Sequence, residues 1–243
     1  MQIIKLDATD STNSYLRKLY NESGVIDYTV ISAKFQTEGR GQMGTLWNSE
    51  SSKNLTISVF KDVSALFIEH PFYISIATSL AIIRTLQSFS IPRLSIKWPN
   101  DILSEDNKVC GILIENVIKQ NSLKASIIGI GLNVNQTTFL NLPKASSLKL
   151  LSGNNFNLDE VLFTVIKFLK YYFMLLRNEE YDFVKNEYES YLFRKNKPST
   201  FRNAEGLMFT GIIKNISEAG SLQVLLEDDI IKEFELKEIA LLF

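Results

Sequence analysis

At 243 residues and 27.7 kDa, the chain is long enough to bury a sizeable core and to hold one large domain with a small one beside it. Apolar residues make up 45% and charged residues 22%, which is ordinary for a soluble globular protein. A net charge of −1 without any basic run gives no electrostatic footprint for nucleic acid, and the single Cys110 excludes an internal disulfide framework.

The opening MQIIKLDATDSTNS has neither a basic start nor a long apolar core, so no signal peptide is expected. The apolar stretches further on are broken by charge, which argues against a membrane span and for a cytoplasmic protein. Asp10-Ser11-Thr12-Asn13 groups hydroxyls and an amide where a helix should start, and an N-cap is the plain reading of that group. Asn13 to Tyr20 then places Leu16, Leu19 and Tyr20 on one helical face. Tyr28–Ala33 and Leu55–Phe60, rich in β-branched and aromatic residues, predict strands.

Between those strands lies Gly39-Arg40-Gly41-Gln42-Met43-Gly44, followed by Trp47. Glycines let backbone amides approach an anion, Arg40 supplies a cationic fork, and Trp47 offers a flat surface for a base. The spacing does not belong to a dinucleotide fold, because TLWNSESSKN after it does not open a helix. Pro71–Phe89 is apolar at helical spacing and predicts a buried helix, with His70 as a local residue at its start.

An apolar run from Ile91 to Ile96 reads as a strand that Pro99 must end. The turn Lys97-Trp98-Pro99-Asn100-Asp101 then presents a cation, an amide and a carboxylate together. Strand-like runs recur at Leu94–Lys97, at Val109–Glu115, just after Lys108, and at Ala125–Val134, which contains Gly129-Ile130-Gly131-Leu132-Asn133. Glycines inside a strand mark places where a ligand or another backbone comes close. Cys110 has no neighbouring base and reads as a small core residue. The stretch 136–153 lacks periodicity and is expected to be a loop that orders over a bound ligand.

Asn157-Leu158-Asp159-Glu160 has the form of a capping box and predicts a long helical region reaching about Phe193. Its aromatics, among them Phe163, Phe168, Tyr171, Tyr172 and Phe173, read as core and interface. After Lys195 the texture changes to short alternating segments, Ser199–Asn203, Leu207–Ile216, Ser221–Glu227 and Ile230–Leu236, as in a small β-barrel. Two domains are expected, 1–194 and 195–243.

DSTN (Asp10–Asn13), the run from Phe35 to Trp47, KWPND (Lys97–Asp101), KVCGILIE (Lys108–Glu115) and GIGLNVN (Gly129–Asn135) occur in the order found in biotin protein ligases. The chain resembles that family over residues 6 to 135, and its last segment fits the family's small SH3-like domain. The resemblance implies an α+β fold: a mixed sheet packed with helices, like class II aminoacyl-tRNA synthetases, plus an SH3-like β-barrel. It implies a ligase that forms biotinyl-5′-AMP from biotin and ATP with Mg²⁺, then moves biotin to a lysine of a biotin carboxyl carrier protein.

By the same resemblance, Ser11, Thr12, Asn13 and Gln36 belong to the biotin site, with the first two and Gln36 on the ureido ring. Gly39, Arg40, Gly41 and Gln42 wrap the carboxylate and phosphate, and Gly111 and Gly131 leave room for the ring. Lys108 stabilises charge as carboxylate and α-phosphate join. Trp47 stacks on adenine, Asn133 contacts the base or its loop, and Lys97, Asn100 and Asp101 organise the triphosphate, with Asp101 towards Mg²⁺. Lys108, Arg40, Asp101 and Lys97 form the implied catalytic set.

Two departures from the family pattern stand out. Gln42 and Met43 occupy the loop where many members have a second arginine, which shifts phosphate charge onto Arg40 and Lys108. Only nine residues precede Asp10, so a short, ligase-only form without a winged helix is expected, as a monomer or homodimer that binds no DNA or membrane. The alternatives are a lipoate or octanoate transferase of related fold and a biotin-sensing transcriptional regulator.

Overall fold

The computed structural model describes residues 1–66 and 68–243, apart from the side chains of Met43 and Asp228. Seven strands form one sheet: β1 (Gln2–Thr9), β2 (Thr29–Gln36), β3 (Leu55–Asp62), β4 (Leu94–Lys97), β5 (Asp101–Ser104), β6 (Asn107–Lys119) and β7 (Ser122–Leu132). Their order is β1-β2-β3-β7-β6-β5-β4, with β1 parallel to β2 and the remaining neighbours antiparallel. The sheet is therefore mixed, as expected, and its architecture is α+β.

Side chains alternate along a strand, so each of β3, β6 and β7 serves two faces at once. On one face Leu55, Ile57 and Val59 meet Ile112 and Ile128, Ile130 and Leu132 in the large core. That face is covered by α2 (Phe72–Ser88), α4 (Leu158–Arg177) and α5 (Tyr181–Ser190), which supply Leu80, Ile83, Leu169 and Tyr188 to the same cluster. On the other face α1 (Thr12–Ser23) sets Leu16 against Phe60, Val117 and Ile127. Being a single helix, α1 covers only part of its face, and the sheet beyond its N-terminus stays open. No helix among the described residues is long and apolar enough to cross a membrane.

Several expectations need correction. The helical region from 157 to 193 is not continuous: α4 ends at Arg177, Glu179 adopts a φ of 60°, and α5 follows. An unbroken helix of that length would run roughly 55 Å at 1.5 Å per residue, whereas both pieces fold back to pack on α2. Asn157 does cap α4, accepting the amides of Asp159 and Glu160 at 2.9 and 3.2 Å. Of the apolar run from Ile91, only the part expected as the strand Leu94–Lys97 forms β4, because Arg93 has a φ of 49°. Within 136–153 a short helix, α3 (Leu148–Ser152), forms with Ser147 as its cap.

After α5 come β8 (Pro198–Asn203), β9 (Met208–Ile216), β10 (Leu222–Leu225), β11 (Ile231–Phe234) and β12 (Ile239–Leu242), an antiparallel sheet in the order β11-β10-β9-β8-β12. Its Phe201, Ile213, Leu222 and Val224 join the large core. Several polar contacts fasten it to the first sheet's helices and hairpin, the Lys185–Glu218 ion pair among them. Trp98 Nε1 donates to the Gly220 carbonyl at 2.9 Å, Tyr73 Oη donates to Glu218 at 2.7 Å, and the Ile216 amide donates to Glu189 at 3.2 Å. Trp98 of the KWPND turn is thus a joint between the sheets.

Candidate active site

A cleft of about 390 Å³ opens on the uncovered part of the sheet, bounded by the N-terminus of α1, the glycine-rich loop, the β4–β5 turn and the second sheet. Ser11, Thr12, Asn13, Gln36, Arg40, Gly41, Gln42, Trp47, Lys97, Asn100, Asp101, Lys108, Gly111 and Gly131 all line it. Gly39 and Asn133, both expected in the site, do not.

The polar end of the cleft is built at the start of α1. Ser11 occupies the N-cap position but its side chain caps nothing. The helix does start where expected, with Ser11 O accepting the Tyr15 amide at 2.9 Å, but without a side-chain cap. Thr12 donates to Gln36 Oε1 from both its amide, at 2.7 Å, and its hydroxyl, at 3.0 Å. Ser58 of β3, fully buried, lies 2.8 Å from Thr12 Oγ1 and 2.5 Å from Asn13 Oδ1. The period of two in β3 (Thr56, Ser58) is the sequence signal for this polar stripe. Gly129 gives Asn13 its seat, since a Cβ there would meet Asn13 Oδ1 at 2.6 Å.

The opposite end is cationic. Lys97 and Lys108 gather there around Asp101, the single carboxylate of the cleft among the described residues, while Lys237 and, from beside α1, Arg40 also line the cleft. Lys237 comes from the second sheet's connection to β12 and was not anticipated, because nothing in its local sequence marks it. Lys108 Nζ pairs with Asp101 Oδ1 at 2.6 Å. The backbone of Lys108 is held from both sides, its amide donating to Lys144 O at 2.7 Å and its carbonyl accepting from Ser146 at 3.0 Å. Lys97 is half-buried, and loss of hydration holds its ammonium below the ordinary lysine range. Asp101 opposes that shift, while Lys108 adds to it. Its ammonium also lies 4.8 Å from the Phe243 ring centre.

The glycine-rich loop folds on itself. Arg40 bridges Leu46, Gly41 N donates to Thr45 O at 2.7 Å, and Trp47 N donates to Gly39 O at 2.8 Å. Those two amides are therefore engaged within the loop and do not face an anion. Gly39 serves this closure rather than the cleft. Arg40 reaches Ser14 Oγ at 2.9 Å and Glu115 at 3.8 Å.

Trp47 lies flat over the sheet. A Cβ on Gly131 would meet its ring at 2.3 Å and one on Gly111 at 3.1 Å, so the indole fills the space those glycines leave. Its Nε1 is buried without a partner. Asn133 is buried, and its Nδ2 donates to Ser146 O at 3.0 Å, which braces the segment beside Lys108. Asn100 likewise turns inward, donating to Ile112 O at 2.7 Å. Cys110 is fully buried and its thiol is pushed far up by burial, which suits a core residue. His70 caps no part of the cleft.

For a metal, no group of three or more His, Cys, Asp or Glu side chains converges among the described residues. Asp101 is the one carboxylate in the cleft among the described residues. That donor set fits Mg²⁺ only in the manner usual for nucleotide sites, with one carboxylate and the ligand's own phosphates.

The model of the biotin/lipoate A/B protein ligase family matches residues 6–133. The bifunctional ligase/repressor BirA of Bacillus spizizenii is 31% identical over 134 residues, 55% of this chain and 41% of that protein. The biotin–[acetyl-CoA-carboxylase] ligase of Mycobacterium tuberculosis is 32% identical over 143 residues, 58% of this chain and 52% of that one. The matches thus span about half the length of these curated relatives. A biotin protein ligase from Aquifex aeolicus in complex with biotin and ATP superposes over 99% of this chain and 98% of its own, with a TM-score of 0.83 and 26% identity. With more than half of its length matched by the family model, the chain belongs to the biotin/lipoate A/B protein ligase family.

Proposed function

We propose that this protein is an ATP-dependent biotin protein ligase acting in the cytoplasm on the carrier domain of a biotin-dependent carboxylase, as a monomer or homodimer and without DNA. The observation that carries the reading is one cleft with two chemically opposite ends. A wall of hydroxyls and an amide at the start of α1 suits a ureido ring, and the Lys97–Lys108 pair around Asp101 suits carboxylate and triphosphate. The full-length resemblance to a biotin- and ATP-bound ligase supports the same assignment.

In the first step a biotin carboxylate oxygen attacks the α-phosphorus of ATP, and the bond to pyrophosphate breaks. Two anions must meet, so the barrier is largely electrostatic. Lys108 and Lys97 lower it by sitting, already oriented, where negative charge accumulates. Arg40 would leave Glu115 to join them. Mg²⁺ arriving with the triphosphate would be held by Asp101 and would neutralise phosphate charge. In the second step a carrier lysine amine attacks the acyl carbon of biotinyl-5′-AMP, and AMP leaves. No enzyme nucleophile is required, and positioning supplies the rest. Residues 195–243 are proposed as a second domain that supports nucleotide handling or carrier docking.

The test is pyrophosphate release with ATP, Mg²⁺ and either biotin or lipoate, followed by labelling of a carrier domain. Turnover with biotin and labelling of the carrier lysine are expected. Turnover with lipoate alone would transfer the assignment to lipoate ligation.

A further inference from the structure

The strand register lays five cleft residues in one row. Thr56 of β3 pairs with Gly131 of β7, Gly131 with Gly111 of β6, Gly111 with Asp101 of β5, and Asp101 with Lys97 of β4. Paired residues face the same side of a sheet, and neighbouring strands lie about 4.8 Å apart. One pleat along, the row of Ser58 and Gly129 is already covered, because Thr12 and Asn13 of α1 rest on it. The polar wall of Thr12 and Gln36 therefore stands at one end of the open row, and Lys97, Asp101 and Lys108 stand at the other. A molecule that touches both ends must lie across Gly131 and Gly111.

Trp47 lies on those two glycines. Its ring fills the space a Cβ would need at either, and Lys108 Nζ is 5.7 Å from the ring centre. The indole thus takes up the floor on which a ligand's ring would rest. No polar bond holds it there: Nε1 is buried without a partner, which opposes the seat rather than favouring it. The loop that carries the indole is closed on itself between Gly39 and Trp47. It is pinned outside those limits, where Glu38 N donates to Asp10 O at 2.9 Å and Glu50 N donates to Gln136 Oε1 at 3.0 Å. The loop is therefore free to swing as a unit while β2 and β3 stay in place.

Deepening the ligase reading, on which it rests, we propose that Trp47 competes with biotin for the seat of the biotin ring. The indole over Gly131 and Gly111 and a ring bound there exclude each other. Biotin then binds only the fraction of molecules whose indole has swung away, and its apparent affinity falls by that fraction. A fixed aromatic wall would stand beside the two glycines and leave their space free, whereas this ring fills it. The unpaired N–H keeps the seat shallow, because the indole gains a hydrogen bond to water as soon as it leaves.

Calorimetric titration of the parent, Trp47→Phe and Trp47→Ala tests this, each with biotin alone and with ATP and Mg²⁺ alone. Removing the competitor should tighten biotin. The Kd of Trp47→Ala is expected to fall about threefold or more, as for a parent whose open fraction is a third or less. Trp47→Phe, with a smaller ring, should lie between the two. ATP should not tighten in either variant, because its triphosphate binds beyond the seat, at Lys97 and Lys108. Thermal unfolding of each protein separates lost folding from changed binding, and should Trp47→Ala fail to fold, Trp47→Phe still decides. Biotin binding that is unchanged or weaker in the variants overturns the inference and leaves the ligase reading standing. So does a parallel gain for ATP, which would mean a loosened cleft rather than a released seat. Absence of biotin binding in the parent and both variants overturns the ligase reading itself.

Discussion

The two faces of β3, β6 and β7 carry opposite chemistry on the same backbone. One presents Val59, Ile128, Ile130 and Leu132 to three helices, and the other presents Thr56, Gly111, Gly129 and Gly131 to a cleft, with Ser58 buried behind Thr12 and Asn13. The apolar face is uniform because burial is non-directional and asks only for volume. The other face is graded. Under α1 it is as apolar as its counterpart, with Phe60 and Ile127, and beyond the helix start it becomes polar and then cationic. Covering half of a face with one helix thus yields a site next to a core, held by the same strands.

The division between faces can be broken most strongly from the apolar side. Ile128→Ala should remove about 2–5 kcal/mol of stability, as expected for truncating a fully buried isoleucine. Denaturant unfolding reads that loss. Biotin affinity of the protein that remains folded should stay within about twofold of the parent, since Ile128 points away from the cleft. A parallel loss of affinity would show that the faces are not separable.

Lys108→Ala attacks the opposite face. Adenylate formation should fall by about 10²–10³, the usual cost of losing a preorganised charge, with an unfolding midpoint near the parent's. Pyrophosphate release at an undiminished rate would remove Lys108 from the chemistry. Gly131→Ala is subtler. The added Cβ would meet the Trp47 ring at 2.3 Å, and overpacking of this kind costs about 1–3 kcal/mol. In a Trp98→Phe background, Trp47 emission should move to the red as the indole leaves its seat. Unchanged emission would show that Trp47 does not rest on Gly131 in solution.

The smallest effect expected concerns pH. Lys97 in the folded protein releases its proton below the ordinary lysine range, whose reference is about 10.4. Between the depressed and the reference value the unfolded chain binds more protons than the folded one, so stability should rise with pH across that window. Nucleotide binding should move the other way and weaken there as Lys97 loses its charge. Lys97→Arg should flatten the alkaline decline, and an identical decline in that variant would assign it to another group.

The residues themselves fixed a good deal. Periodicity in Pro71–Phe89 located α2, Pro99 located the end of β4, and alternation after Lys195 located four of the five later strands. Each of these signals is local and follows from the chain's own geometry. The strands that escaped notice are β1, β5 and β12. Each is short or exposed at an edge, where pairing with a neighbour rather than burial defines it, and pairing is not written locally.

The same distinction runs through the site. Short motifs were enough to gather Ser11, Thr12, Gln36, Arg40, Lys97, Asp101 and Lys108, since each motif sits at a strand end or loop that faces one cleft. Lys237, Ser58 and Glu115 came only with the fold, because their partners lie far along the chain. So did the inward turn of Asn133 and the seat of Trp47 on Gly131. Sequence fixed which chemical groups this protein holds. Tertiary structure alone decided which way they point, because a hydrogen bond's direction depends on what stands at its other end.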